Sequence, residues 1–137
     1  MTKLFVDTNV VLDLLGKRAA YLPAARLFTL GDRGEVALYV SVLSFANINN
    51  ILTRQQDRSM AIKALRKLEL IVQVVDLTAK ITKRALDDED FTDFEDGLQY
   101  YSAVESGTEA VITRNHKDFT HSKLPVMSAE EYLSSLG

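Results

Sequence analysis

Short, almost charge-free runs recur along this chain, and each stops at a polar residue before a helical pattern begins. Lys3–Val6 reads KLFV and ends at Asp7, Val36–Val40 reads VALYV and ends at Ser41, and Leu70–Val75 reads LIVQVV and ends at Asp76. Ala110–Thr113 reads AVIT and runs into Arg114 and Asn115, and Leu124–Met127 is a brief fifth run. Between them, apolar residues fall at helical spacing over Thr8–Leu15, Ala24–Gly34, Ser41 to Thr53, Ser59–Leu68, Thr78–Leu86, Asp93–Ser106 and Ser128–Leu136. Strands that alternate with helices and carry almost no charge form a parallel sheet buried on both faces. The expected fold is therefore α/β, a three-layer α/β/α arrangement around a short central parallel sheet.

Two prolines and six glycines leave no room for a flexible linker, and no internal repeat is present, so residues 1–137 are read as a single domain. There is no cysteine, which excludes a disulfide scaffold, a thiolate zinc site, an iron–sulfur cluster and a cysteine nucleophile. No apolar run approaches the length of a membrane span. The N-terminus reaches Asp7 too soon for a signal peptide, so the expected compartment is the cytoplasm. The formal charge of −3 argues against a passive nucleic-acid coat, which needs a cationic surface. It does not argue against an enzyme that holds metal ions with carboxylates.

In a parallel sheet of this kind the crevice lies outside the carboxyl ends of the strands. The polar residues there are Asp7, Ser41, Asp76 and Thr113-Arg114-Asn115. Asp7 either caps the following helix or points into the crevice; Thr8 and Asn9 are themselves good caps and would leave it spare. Seven acidic residues fall between Asp87 and Asp96 without one base among them. Asp87, Asp88, Glu89 and Asp90 read as a solvated loop, while Asp93 and Glu95 suit the start of a helix. Asp96 is different, because positions 96, 99, 100 and 103 share one helical face, and Tyr100 and Ala103 turn it inward. A carboxylate heading an inward stripe needs a partner, and a bound cation is the usual one. Asp118 lies in the loop after the fourth strand, where a turn residue is the ordinary reading; His116 beside it reads as an exposed loop histidine. Separated carboxylates on several post-strand segments suit Mg2+ or Mn2+, and the missing cysteines and scarce histidines disfavour zinc.

FVDTNVVLDLL, DFEDGLQY, VITRNHKDF and LPVMSAEEYL, in this order and spacing, resemble the PIN-domain family of ribonucleases, and within it the single-domain bacterial branch that includes VapC-like toxins. The resemblance covers nearly the whole chain. It implies a metal-dependent endoribonuclease that hydrolyses RNA phosphodiester bonds, with Asp7, Asp96 and Asp118 as catalytic carboxylates and metal ligands. Thr8, Asn9, Thr113 and Asn115 match supporting positions, with Asp93 and Glu95 as auxiliaries. Many members carry a glutamate on the helix after the second strand; here Asn47 stands about where that acid is expected. An amide adds no negative charge, so a catalytically weak or inactive nucleic-acid- or protein-binding module on the same fold is the alternative reading. The resemblance also implies an antitoxin protein as partner and favours a homodimer, which the apolar surplus on Ser41–Leu52 and Met60–Leu68 permits.

Local charge has to admit an RNA substrate. Arg54, Arg58, Lys63, Arg66 and Lys67 face only Asp57 in their stretch, and Lys80, Lys83 and Arg84 form a second group. Arg18, Arg114 and Lys117 flank the crevice segments and are the expected phosphate contacts.

Overall fold

Within a computed structural model that describes all 137 residues, five strands and seven helices alternate as the sequence predicts. They run β1 (Lys3–Val6), α1 (Thr8–Leu15), α2 (Tyr21–Asp32), β2 (Ala37–Ser41), α3 (Val42–Gln55), α4 (Arg58–Ile71), β3 (Gln73–Val75), α5 (Ala79–Asp87), α6 (Phe94–Glu105), β4 (Ala110–Ile112), β5 (Val126–Met127) and α7 (Ala129–Ser135), with one 3-10 turn at His116–Phe119. No helix is long and apolar enough to cross a membrane.

The sheet is parallel throughout, in the order β3-β2-β1-β4-β5. Successive strand residues point to opposite faces, and here both sets are apolar. Leu4, Val6, Leu38, Val40, Ala110 and Ile112 join the large core that α1, α2, α3, α4 and α7 cover. Phe5 and Val111 face the other way, against Tyr100, Ala103 and Phe119, with α5 packed beside α6 through Ile81, Ala85 and Leu98. This is the expected three-layer α/β/α fold.

Several element boundaries shift by one or two residues, and two depart further from the sequence reading. The LIVQVV run is not one strand: α4 continues to Ile71, Val72 caps it, and only Gln73–Val75 enters the sheet. Leu68 and Val72 are buried while Leu70 is exposed, so a helical period wins over a continuous apolar run. The second helix starts at Tyr21 rather than Ala24, because Pro23 sits in its first turn, where a missing N–H costs nothing. Gly34 and Gly107 follow helices at φ of +72°, the left-handed conformation that ends a helix without strain at glycine.

On α3 and α4, Ile48, Leu52, Ala61 and Leu68 belong to the core, whereas Met60 and Ile62 remain exposed.

Candidate active site

The strand order reverses at β1. From it the chain passes to β2 on one side, and β4 arrives later on the other. Such a switch point opens a crevice at the strands' carboxyl ends, and Asp7 stands in it. Its backbone N–H donates to the Ile112 carbonyl at 2.9 Å, continuing the β1–β4 ladder by one residue.

Asp7 is not left spare by its neighbours. It caps α1 itself, its Oδ1 accepting from the Thr8 N–H at 2.9 Å. The same oxygen accepts from Gln99 Nε2 at 3.0 Å, and Oδ2 accepts from Asn9 Nδ2 at 3.2 Å and Thr113 Oγ1 at 2.9 Å. An ionised carboxylate offers about four acceptor sites, so the protein supplies a donor for each. The donors are held in turn. Asn9 Oδ1 accepts from the Arg114 N–H, and Thr113 Oγ1 accepts from Asn9 Nδ2 and from the Asn115 N–H. Thr8 Oγ1 lies 2.6 Å from Ser44 Oγ, which joins α1 to α3.

Gln99 is the residue that the sequence reading left without a role. It occupies the inward stripe of α6 below Asp96 and is buried. Besides Asp7, its Nε2 reaches Ser44 Oγ at 2.9 Å and Thr8 Oγ1 at 3.2 Å, while its Oε1 has no partner. The negative charge of Asp7 fixes this orientation, because a flipped amide would turn its oxygen onto a carboxylate. One side chain from α6 thus ties together β1, α1 and α3.

Asp7, Thr8, Asn9, Asn47, Glu95, Asp96, Gln99 and Asp118 line one cleft of about 400 Å³, completed by Leu12, Leu43, Asn50, Ile51 and Arg54. The three expected carboxylates therefore reach it from the end of β1, the first turn of α6 and the 3-10 turn after β4. Burial, and then the charges of Asp118, Asp93, Asp7 and Glu95, push the Asp96 carboxyl up to about 7. Asp118 is raised as well, by burial and by Asp7 and Asp93, with Asn115 acting in the opposite direction. Asp93 stands outside the lining as the cap of α6, its Oδ1 accepting from the N–H groups of Glu95 and Asp96 at 2.8 and 3.2 Å. Asp76 lies away from the cleft.

The flanking cations are placed differently from the expectation. Arg114 turns away from the cleft, its Nε 2.6 Å from Oδ2 of the buried Asp13. Arg18 and Lys117 do not line the cleft either; the cation that does is Arg54, at the end of α3. Its sequence signal was membership of the basic stretch that begins there. His116 Nε2 lies 3.1 Å from Glu131 of α7, as befits a loop histidine at the surface.

All the donors in the cleft are oxygens or amides, a set that suits a hard divalent cation. Burial and then the neighbouring carboxylates disfavour the charged form of Asp96, and a bound cation would offset both. The carboxylates do not form a closed cage, since no three metal-ligating side chains stand together.

The PIN domain profile matches residues 3–117, and the chain belongs to that family. Ribonuclease VapC1 of Aquifex aeolicus (strain VF5) is 23% identical over 137 residues, spanning 95% of this chain and 92% of its own. Among solved structures, the DNA-bound VapBC of Salmonella typhimurium superposes with a TM-score of 0.74 at 12% identity, over 94% of this chain and 99% of that one. VapC20 of Mycobacterium tuberculosis, a Sarcin-Ricin loop cleaving toxin, does so with a TM-score of 0.63 at 22% identity, over 79% and 86%.

Proposed function

We propose that this chain is a metal-dependent endoribonuclease that hydrolyses RNA phosphodiester bonds, the toxin component of a toxin–antitoxin pair acting in the cytoplasm. The observation that carries this reading is the meeting of Asp7, Asp96 and Asp118 in one cleft at the switch point of the sheet. Relatives that are a VapC ribonuclease and an RNA-cleaving toxin support it.

Asp7, Asp96 and Asp118 would hold Mg2+ or Mn2+ by drawing closer together than they stand in the free chain, with Glu95 and the Asn47 amide beside them. Bound there, the ion supplies Lewis acidity, activation of water and neutralisation of phosphodiester charge. Asp7 is held in a fixed orientation by its four donors, and an ion would have to displace or share one of them to bind its carboxylate. Burial and the neighbouring acids raise the Asp96 carboxyl to about 7 in the absence of an ion, so a cation binding there competes with a proton. Gln99 and Ser44 keep α3 and α6 at a fixed separation across the cleft. A protein antitoxin and a second copy of the chain are the partners of this reading. The VapBC complexes among the structural neighbours motivate the first, and exposed Met60 and Ile62 the second.

Asn47, in place of an acid, favours the second reading: a binding module with weak or no turnover. One experiment separates the two. Purified protein is incubated with RNA and Mg2+ or Mn2+, with and without chelator, alongside Asp7→Asn and Asp96→Asn. Metal-dependent cleavage that is lost in both variants supports the nuclease. Cleavage unchanged in both rejects the site, and RNA binding without turnover at any metal concentration selects the module.

A further inference from the structure

Arg54 is an isolated positive charge on a wall that faces four carboxylates. Along α3, Leu43, Asn47, Asn50, Ile51 and Arg54 all line the cleft, which is the spacing of one helical face. The helix therefore runs along the cleft, from Ser44 at the level of Gln99 and Asp7 to Arg54 at the far end. Arg54 Nε donates to the Asn50 carbonyl at 3.2 Å, which folds the side chain back towards the helix N-terminus and the carboxylates. This bond uses one of the guanidinium's five donors. Its terminal nitrogens have no protein partner, and no carboxylate of the cleft pairs with it. An exposed arginine with a pinned Nε and a free terminal fork is pre-organised for a bidentate oxyanion.

We infer that Arg54 is a substrate-binding residue that grips an RNA phosphate flanking the scissile one. The distance along the helix decides which phosphate. Ser44 and Arg54 are separated by about 15 Å of helix axis, and only part of that is recovered by the backward-folded side chain. That separation places Arg54 for a neighbouring phosphate of the same strand rather than for one held among Asp7, Asp96 and Asp118. Such a contact offsets the repulsion that a polyanion meets in a cleft lined by Asp7, Glu95, Asp96 and Asp118. It also explains how a chain of net charge −3 admits its substrate.

This inference rests on the ribonuclease reading but is tested separately from it. Binding of a single-stranded oligoribonucleotide is measured by fluorescence anisotropy without divalent metal, from 50 to 200 mM salt, for wild type, Arg54→Gln and Arg54→Lys. Thermal melts check that folding is unchanged. Arg54→Gln is expected to weaken binding about tenfold and to lower the slope of log K against log salt by about 0.7. Arg54→Lys should restore the slope but not the full affinity. A second series carries one uncharged methylphosphonate linkage, walked along the oligonucleotide. At a single linkage the Arg54→Gln penalty disappears, and in cleavage assays that linkage is not the one cut. With cleavable RNA, Arg54→Gln raises KM and spares kcat. Equal affinity and slope in wild type and Arg54→Gln overturn the inference, as does a penalty that vanishes only at the scissile linkage. If the protein binds RNA through Arg54 but never cuts, the nuclease reading falls, and with it the assignment to a flanking linkage, while the phosphate contact itself stands.

Discussion

Arg114 Nε lies 2.6 Å from Asp13 Oδ2, and Asp13 is only 2% exposed. The pair links α1 to the loop that carries Thr113, Asn115 and Asp118. Asp13 Oδ1 has no other partner, so the guanidinium is the chief compensation for a buried charge. Arg114→Ala is expected to destabilise the protein by about 2–4 kcal/mol in urea unfolding, because a buried carboxylate is left unpaired. The double variant Asp13→Leu/Arg114→Met should cost less than Arg114→Ala alone. If the single variant is within about 0.5 kcal/mol of wild type, the pair is no more than a surface contact.

Gln99→Leu keeps the bulk and removes the amide. Asp7, Thr8 and Ser44 each lose a contact at buried or half-buried positions, so a loss of about 1–3 kcal/mol is expected. The sharper readout is Mn2+ affinity, followed by electron paramagnetic resonance. On the proposed metal-binding role of Asp7, removing a group that orients it is expected to lower affinity about 10–100-fold. Unchanged Mn2+ affinity in a folded Gln99→Leu protein separates Gln99 from the orientation of Asp7.

Protonation of Asp96 gives a pH signature. Its folded pKa of about 7 stands above the ordinary value of 3.8, so ionisation works against the fold. The stability it contributes is fully present below about pH 4 and is lost as pH rises through about 7. Asp118 shifts in the same direction. Asp96→Asn is therefore expected to raise Tm at pH 8 by a few degrees after allowance for solvent screening, and to leave it unchanged at pH 4. Added Mg2+ should raise Tm of the wild type more at pH 8 than at pH 5, since it competes with the proton. Scanning calorimetry at these pH values decides; a uniform Tm gain at both acidic and basic pH contradicts the sign.

Gly31→Ala tests the packing of α2 on the sheet. A methyl group there would stand 2.6 Å from Leu38 Cδ1, and Leu38 is fully buried in β2. At an exposed helical site the same change stabilises by about 1 kcal/mol. Here overpacking is expected to reverse the sign, for a net loss of about 1–2 kcal/mol in denaturant melts. Leu38→Val in the same chain should recover part of it.

Some of this was legible in the amino-acid order, and for identifiable reasons. KLFV followed by DTN marks both a buried strand and the polar residue at its end, because the change from apolar to acidic is abrupt. The inward turn of Asp96 follows from Tyr100 and Ala103 on its face, and both are buried as that face requires. The LIVQVV run was not resolved, because a short apolar stretch carries no period that separates a last helical turn from a strand. Arg114 beside the crevice looks like a phosphate contact until its true partner is known, and Asp13 lies most of the chain away. Gln99 sits on the very stripe that Asp96 heads, yet a neutral amide gives no charge pattern to notice. Only its three acceptors, two at the start of α1 and one on α3, reveal what it does.

The switch-point topology has a consequence for biosynthesis. Asp7 emerges from the ribosome among the first residues, but Gln99 and Thr113, two of its four donors, and Asp96 and Asp118, which share its cleft, follow only in the last third of the chain. β4 must insert beside β1 before the cleft exists at all. A nascent or prematurely terminated product lacks an assembled centre, so on the proposed ribonuclease reading any cleavage of the message being translated is deferred until synthesis is nearly done.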